Sequence, residues 1–422
     1  MLGAQMLLIL LLSCMARPSP SAENPHSESR DSESPESRPM EDSTPTDTRP
    51  ALVRALVAGE ESVGDALQRV ALEGGWPMEV EEGRYLVVAE RAEGETIQLG
   101  GSHSGWVAEA MTEEPGFSWA VIESSSPAGS MYKFERQGTW SADPWARAHN
   151  FDTNGELSYL RGPGAHLERW PGVSDGVLPA RTLRVWVSAG EITHQLYLQD
   201  GQNLFDPGAP FGGWKLQESL GPSTMAIGID CIPDQRRDEY GHVQDNAYGT
   251  IEGGRAEEYR ILVMDTIRPR IEAQYGKAPV VGILGSSMGG LVSFYIGLKN
   301  RTEFQFVGSL SGAFDWGSRE GDSTTMRDLY REAGYNGMPL YLDSGGGPGS
   351  GCVDSDGDGE WEDSIEDDFY CSNRQMADSL AELGWSWDQD LWHWWEPDAP
   401  HSEDAWAARV WRPLQIFEAI EG

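Results

Sequence analysis

The pattern Gly-x-Ser-x-Gly can place a serine on a sharp strand-to-helix turn, and it occurs twice in this chain. One copy is Gly172-Val-Ser174-Asp-Gly176, the other Gly285-Ser-Ser287-Met-Gly289. With so many glycines, roughly half a match is expected at random, so the surroundings must choose between them. Ser174 stands in a Pro/Gly-rich linker with no strand running into it and no helix leaving it, and reads as a turn serine. Ser287 follows the apolar run 280–284 and precedes Leu291-Val-Ser-Phe-Tyr-Ile, a good helix start. Gly285 and Gly289 permit a tight backbone turn there, and Gly290 lets the helix approach. Such an elbow presents a hydroxyl for attack on an acyl carbon. The helix N-terminus favours the oxyanion that forms, with the N–H of Met288 as one donor.

A second cluster is acidic. Asp343, Asp354, Asp356, Asp358, Glu360, Glu362, Asp363, Glu366, Asp367 and Asp368 crowd one loop. Asp354-Ser-Asp356-Gly-Asp358-Gly359 has carboxylates at every second position and glycines for the turn, like the start of a calcium loop. An EF-hand would need Glu where Ile365 stands, and no helix enters, so the expectation is a non-EF structural calcium site. Its ligands would be Asp354, Asp356, Asp358 and the backbone carbonyl of Glu360. Repulsion among so many carboxylates favours a counter-ion; a solvated acidic loop is the alternative.

These residues need elements to hold them. Residues 51–78 carry apolar positions at helical spacing and predict one or two short helices. Short apolar runs at 85–88, 119–122 and 131–134, separated by Gly- and Pro-rich turns, predict a small β-sandwich up to about residue 165. From 181 onward, strands are predicted at 183–187, 195–198, 225–229, 280–284, 306–310 and 339–342. Helical stretches at 256–275, 291–300 and 373–383 lie between several of them. That alternation predicts an α/β fold with a mostly parallel sheet.

Six ordered blocks sharpen this reading. They are Leu196-Tyr-Leu-Gln-Asp-Gly-Gln-Asn-Leu-Phe-Asp206, Phe211-Gly-Gly-Trp214, Ala226-Ile-Gly-Ile-Asp230, Arg237-Asp-Glu-Tyr240, Gly253-Gly-Arg-Ala-Glu-Glu-Tyr259 and Pro400-His-Ser-Glu-Asp-Ala-Trp406. In this order they resemble the secreted esterase group of α/β-hydrolases that includes enterobactin and feruloyl esterases. The likeness covers about residues 181–420. It implies an α/β-hydrolase sheet with helices on both faces and a serine esterase that needs no organic cofactor. The base should come last in the chain, which selects His401 among eight histidines; His393, inside a Trp-rich run, reads as packing. Gly201 takes the place of the family's oxyanion-loop glycine, so the N–H of Gln202 is the second donor. The acid should stand shortly before the next helix, at Asp368, with Asp343 at the strand end as the alternative.

The stretch 84–170 holds Met131-Tyr-Lys-Phe134, Trp140, Asp143-Pro144, Asp152 and Gly155-Glu-Leu-Ser158. It resembles the early-set, immunoglobulin-like modules that precede isoamylases and some esterases, several of which bind glucans. Trp106, Trp119, Trp140 and Trp145 are candidates to stack on sugars, although core packing would account for each of them.

The whole chain is strongly acidic, with a net charge of −37 over 422 residues. That excludes a nucleic-acid partner, which needs a basic footprint, and loose docking on anionic lipid. Residues 1–15 are nearly all apolar but too short to span a bilayer, and read as a signal peptide. The run ends Leu11-Leu12-Ser13-Cys14, which resembles a bacterial lipobox with Cys14 as the lipidated residue. Residues 15–50 are rich in Ser, Pro and Glu and predict a disordered tether. Export permits disulfides, and Cys352 with Cys371 is the natural pair, leaving Cys231 free. A bridge closing that loop could contribute about 3 kcal/mol. The expected organisation is a signal at 1–14, a linker at 15–50, helices plus sandwich at 51–170, and an esterase domain at 181–422. The product would be exported and lipid-anchored in a bacterial envelope membrane, or otherwise secreted or periplasmic. The alternatives are an acyltransferase on the same scaffold and a non-catalytic glycan-binding lipoprotein.

Overall fold

The computed structural model describes residues 47–422 apart from 210, 211, 248, 320–323, 350, 355, 356, 362–364 and 366. The expected signal segment, Cys14 and linker residues 15–46 lie outside the described residues. Among the described residues, no helix is long and apolar enough to cross a membrane.

Two short helices open the described chain, α1 (Ala51–Ala58) and α2 (Val63–Glu73). Ser62 caps α2 by accepting the Asp65 N–H at 3.1 Å. Their apolar stripes, including Leu52, Val53, Leu67 and Val70, pack on Leu86, Val88 and Phe117. A run of short strands follows: β1 (Met78–Glu81), β2 (Arg84–Glu90), β3 (Ile97–Gly101), β4 (Glu109–Ala110), β5 (Thr112–Glu114) and β6 (Phe117–Glu123). Then come β7 (Met131–Arg136), β8 (Thr139–Ser141), β9 (Ala148–Asp152), β10 (Gly155–Tyr159) and β11 (His166–Val173). The order β1-β2-β6-β5 forms one antiparallel sheet. Alternation along β2 splits its side chains: Leu86 and Val88 face the helices, while Tyr85, Val87 and Ala89 face a second sheet through Ile97, Leu99, Tyr132 and Phe134. Two sheets therefore face one another, as the turn-rich sequence predicts.

The second sheet does not stop at the expected junction. Strand β11 pairs antiparallel with β12 (Arg181–Val187) from His166↔Val187 to Val173↔Arg181. From there the sheet continues through β14 (Thr224–Ile229), β13 (His194–Gln199), β17 (Val280–Ser286), β18 (Phe306–Leu310), β19 (Leu340–Ser344) and β20 (Leu391–Trp395). The steps from β14 to β20 are parallel. A small hairpin, β15 (Gln244–Ala247) with β16 (Thr250–Gly253), stands apart.

The inner parallel strands β13, β14, β17, β18 and β19 are buried on both faces, which explains their near-continuous apolar runs, whereas edge strand β20 leaves Trp394 and Trp395 exposed. Tyr197, Ile283, Val307 and Leu342 point into one core, while Leu196, Leu198, Leu284, Phe306 and Tyr341 point into the other. Helices α6 (Met288–Lys299), α7 (Met326–Ala333) and α8 (Tyr370–Leu383) pack on the first face. Helices α9 (Glu403–Arg409) and α10 (Trp411–Glu418) pack on the second. A short helix, α3 (Arg236–Tyr240), follows β14. The helix predicted over 256–275 is interrupted: α4 (Ala256–Ile261) and α5 (Arg268–Tyr275) are joined by a π-helical stretch, Leu262–Ile267. Pro269 has no N–H to give, so the preceding turn widens where an α-helical bond would be missing.

Candidate active site

The site is built at the C-terminal ends of the parallel strands. Ser287 sits between β17 and α6 with φ 56° and ψ −128°, a conformation that side chains rarely adopt. The surrounding glycines account for the motif. A Cβ on Gly285 would lie 2.4 Å from the Gly289 carbonyl, and one on Gly290 would lie 2.1 Å from Ser309 Oγ. The Ser287 N–H is fixed by the Leu310 carbonyl at 2.9 Å. Ser287 is half-buried, whereas both of its neighbours are buried.

The structure brings the three predicted residues together. Ser287 Oγ lies 3.0 Å from His401 Nε2, and His401 Nδ1 lies 2.6 Å from Asp368 Oδ1. The His401 ring meets Phe369 and Trp406 edge-on, with centroids at 5.1 and 4.8 Å. Those contacts leave the imidazole little room to swing away from Ser287.

Asp368 is fully buried, and its second oxygen is committed elsewhere. Oδ2 accepts from Ser311 Oγ at 2.6 Å, from Arg409 Nη2 at 3.3 Å and from the Gly345 N–H. Ser311 Oγ in turn accepts from Trp406 Nε1 at 3.0 Å and from Arg409 Nη2. Asp343, the alternative acid, does not contact His401. It stands one layer behind, with Oδ1 accepting from Arg409 Nε at 3.0 Å and Oδ2 from Tyr341 at 3.0 Å. Burial, partly offset by the Arg409 charge, pushes the Asp343 carboxyl up to about 6. Sequence reasoning missed Ser311 and Arg409, because their roles exist only through contacts far along the chain.

The expected oxyanion loop lies beside the elbow. Gly201 is required, since a Cβ there would fall 2.6 Å from the Gly228 backbone on β14. Asp200 precedes it in the left-handed region, φ 56°, and is gripped by Arg236 Nε and Nη2 at 2.7 and 2.8 Å. The Asn203 and Leu204 N–H groups close back on Asp200 and Gly201. The Gln202 side chain is pinned to Cys231, which donates its N–H to Oε1 at 3.1 Å and receives Nε2 at Sγ, 3.2 Å. Met288 begins α6, in the turn whose N–H groups have no intrahelical acceptor. Gln202, in the turn after β13, and Met288, at the start of α6, are the positions expected to supply the two oxyanion donors. Cys231 is free, as expected, and burial pushes its thiol up to about 12, so it is a poor nucleophile.

Glu403 is a further residue that sequence reasoning overlooked. It lies two positions after His401, accepts from Asn203 Nδ2 at 2.8 Å and from Trp214 Nε1, and so ties the histidine loop to the oxyanion loop. Burial, helped by the nearby Asp200 charge, raises its carboxyl to about 7. The only advance sign was its place in the block Pro400-His-Ser-Glu.

Other expectations fare differently. Ser174 was expected to follow no strand, yet β11 runs directly into it. Pro171, Gly172 and a bulge between Trp170 and Val173 disguised that strand. No helix follows; Ser174 Oγ bonds the Leu178 carbonyl at 3.0 Å inside its own turn. Cys352 and Cys371 are bridged, close to Asp368. His393 is buried, and burial lowers it to about 4, in keeping with packing.

The calcium expectation gains no support. Asp354 accepts from the Gly357 and Gly359 N–H groups, and Asp358 from the Glu360 N–H. The Glu360 carboxylate pairs with Arg327 at 2.7 Å. Asp356 lies outside the described residues. Among the described residues, no cluster of His, Cys, Asp or Glu is arranged to hold a metal.

The sheet and the elbow on it define an α/β-hydrolase. Residues 178–410, more than half of the chain, match the model of the family described as "Putative esterase". The chain belongs to this family, and ester hydrolysis is the activity the family supports. It is similar to an uncharacterized Bacillus subtilis (strain 168) protein, YbbA, with 26% identity over 202 residues covering 46% of this chain and 73% of that one. Among solved structures, it is similar to an IroE-like serine hydrolase from Shewanella oneidensis, with TM-score 0.46, 19% identity and coverage of 60% and 82%. It is also similar to the ferric enterobactin esterase of Salmonella typhimurium, with TM-score 0.44, 15% identity and coverage of 82% and 95%.

Proposed function

We propose that this protein is a serine carboxylic-ester hydrolase working through an acyl-enzyme. The hydrogen-bonded relay Ser287–His401–Asp368, mounted on a strained elbow, carries this reading. His401 Nε2 takes the Ser287 proton as Oγ attacks the ester carbonyl. The Gln202 and Met288 N–H groups receive the oxyanion, and Asp368 steadies the imidazolium. His401 then returns the proton to the departing alcohol. Water, deprotonated by His401, attacks the acyl-enzyme and releases the carboxylic acid with Ser287 restored. The test is hydrolysis of a panel of short-acyl and feruloyl esters, with Ser287→Ala and His401→Ala as controls. Full activity in either variant would overturn the assignment.

The same reading extends to place and substrate. We infer that the enzyme acts outside the cytoplasm, held by lipid on Cys14. The lipobox-like sequence and a disulfide suited to oxidising compartments support this. Loss of membrane association in Cys14→Ser would be the expected result. For glycan, Trp106 and Trp140 are the pair we assign: they are 42% and 40% exposed, with centroids 6.1 Å apart. Trp119 and Trp145 instead pack on the core beneath α1 and α2. A carbohydrate-linked ester is therefore the substrate class we favour, tested by polysaccharide pull-down with Trp106→Ala and Trp140→Ala.

A further inference from the structure

A cavity of about 500 Å³ lies where α2, β9 and β11 meet α5, and it shares none of its lining with the Ser287 site. Its polar wall is basic, although acidic residues outnumber basic ones 68 to 31 in the chain. Arg147, Arg161 and Arg270 line it, with Glu168 among them and Glu73 at α2's end; Trp76 and Trp170 supply apolar surface.

The charges do not balance internally. Arg147 lies 3.7 Å over the Trp170 ring and donates from Nε to Glu168 Oε2 at 2.9 Å. Glu168 is already shared, since Trp170 Nε1 donates to it at 2.9 Å and His166 Nε2 lies 3.3 Å away. Glu73 sits 3.4 Å from Arg69. Arg161 gives Nη1 to the Pro77 and Leu160 carbonyls and reaches Glu79 at 3.5 Å. Arg270 has no hydrogen bond or ion pair among the described residues; burial presses Arg147 below its ordinary value against the opposing pull of Glu168, and the Arg270 charge adds a smaller push in the same direction. Arg147 is already held by Glu168, whereas Arg270, exposed at the edge of the cavity, keeps its guanidinium available to an anion that enters. A guanidinium fork matches a carboxylate in two parallel hydrogen bonds, and the tryptophan surface suits an apolar body.

We propose that this cavity binds a small organic carboxylate, its anionic end held by Arg270 and its neighbours and its apolar group against the tryptophan wall. The proposal does not depend on which residues perform ester hydrolysis. The experiment is calorimetric titration of the full chain with sodium benzoate, repeated with inorganic phosphate, on the wild type, Arg270→Gln and Arg270→Lys. A further arm uses protein whose Ser287 has been blocked by a phosphonate. Arg270 is exposed, so both variants fold. Saturable benzoate binding, weakened about tenfold in Arg270→Gln, partly kept in Arg270→Lys and unchanged by the Ser287 block, is expected. Ester turnover should be the same in both variants. Absence of saturation, equal binding by Arg270→Gln, loss of binding on blocking Ser287, or binding of phosphate but not benzoate would each overturn it.

Discussion

Ser174 and Ser287 sit in the same five-residue pattern, and each follows directly on a β-strand. What differs is what the chain does next. After Ser174 it folds back within a few residues: the serine hydroxyl bonds Leu178, and the Gly176 N–H donates to that hydroxyl at 3.0 Å. The hydroxyl is fully occupied by its own turn. After Ser287 the chain enters α6, with the serine itself forced to positive φ, so the turn offers Oγ no local partner and His401 supplies one. A local motif thus becomes a candidate nucleophile only when local hydrogen bonding is denied to it.

The largest effect that could break this contrast is on turnover. Ser287→Ala should reduce ester hydrolysis by roughly a thousandfold or more, while Ser174→Ala leaves kcat/KM unchanged and costs about 1 kcal/mol of stability. Next comes the support behind the acid. Arg409→Met leaves Asp343 and Asp368 buried without their cation, and denaturant unfolding should show a loss of about 3 kcal/mol, accompanied by falling kcat. A smaller effect separates the two turns. Gly285→Ala must push against the Gly289 backbone and should destabilise by about 2 kcal/mol with activity falling. Gly172→Ala meets Leu72 at 2.7 Å and positive φ; it should cost about 1 kcal/mol with activity intact.

The smallest expected effect is a slope. Glu403 has its folded carboxyl raised to about 7 from an ordinary 4.5, so the folded state binds the extra proton between those values. Its contribution to stability is therefore full below about pH 4.5 and is lost as pH rises through about 7. Melting temperature followed from pH 5 to 8 should fall less steeply in Glu403→Gln. An identical slope in both proteins would remove Glu403 as the titrating link between the two loops.

Much of the scaffold was legible because its inner parallel strands are buried on both faces and read as apolar runs. The serine and the histidine were legible from an elbow with glycines at fixed offsets and from chain order. The acid was harder. Ten carboxylates share its loop, and only resemblance pointed to Asp368; the three-donor clasp on its Oδ2 involves Ser311, Gly345 and Arg409, which no spacing reveals. The calcium reading shows the same limit from the other side. Alternating carboxylates look like ligands, but those of Asp354 and Asp358 fold the loop through backbone N–H groups, and the cation beside Glu360 is Arg327, 33 residues away. β11 was missed for a local reason, Pro171 and Gly172 at its end.

The ladder between β11 and β12 has a consequence for anyone who would divide the chain. A cut at Arg181 looks natural on the sequence, because every esterase block lies beyond it. It would strip β12 of the partner on one flank and leave a row of open N–H and C=O groups along a twisted, largely apolar ribbon. A second copy offers the readiest cover for such a rim. The trimmed enzyme is therefore destined for self-pairing and precipitation, and the module ahead of it serves the catalytic half as its hem.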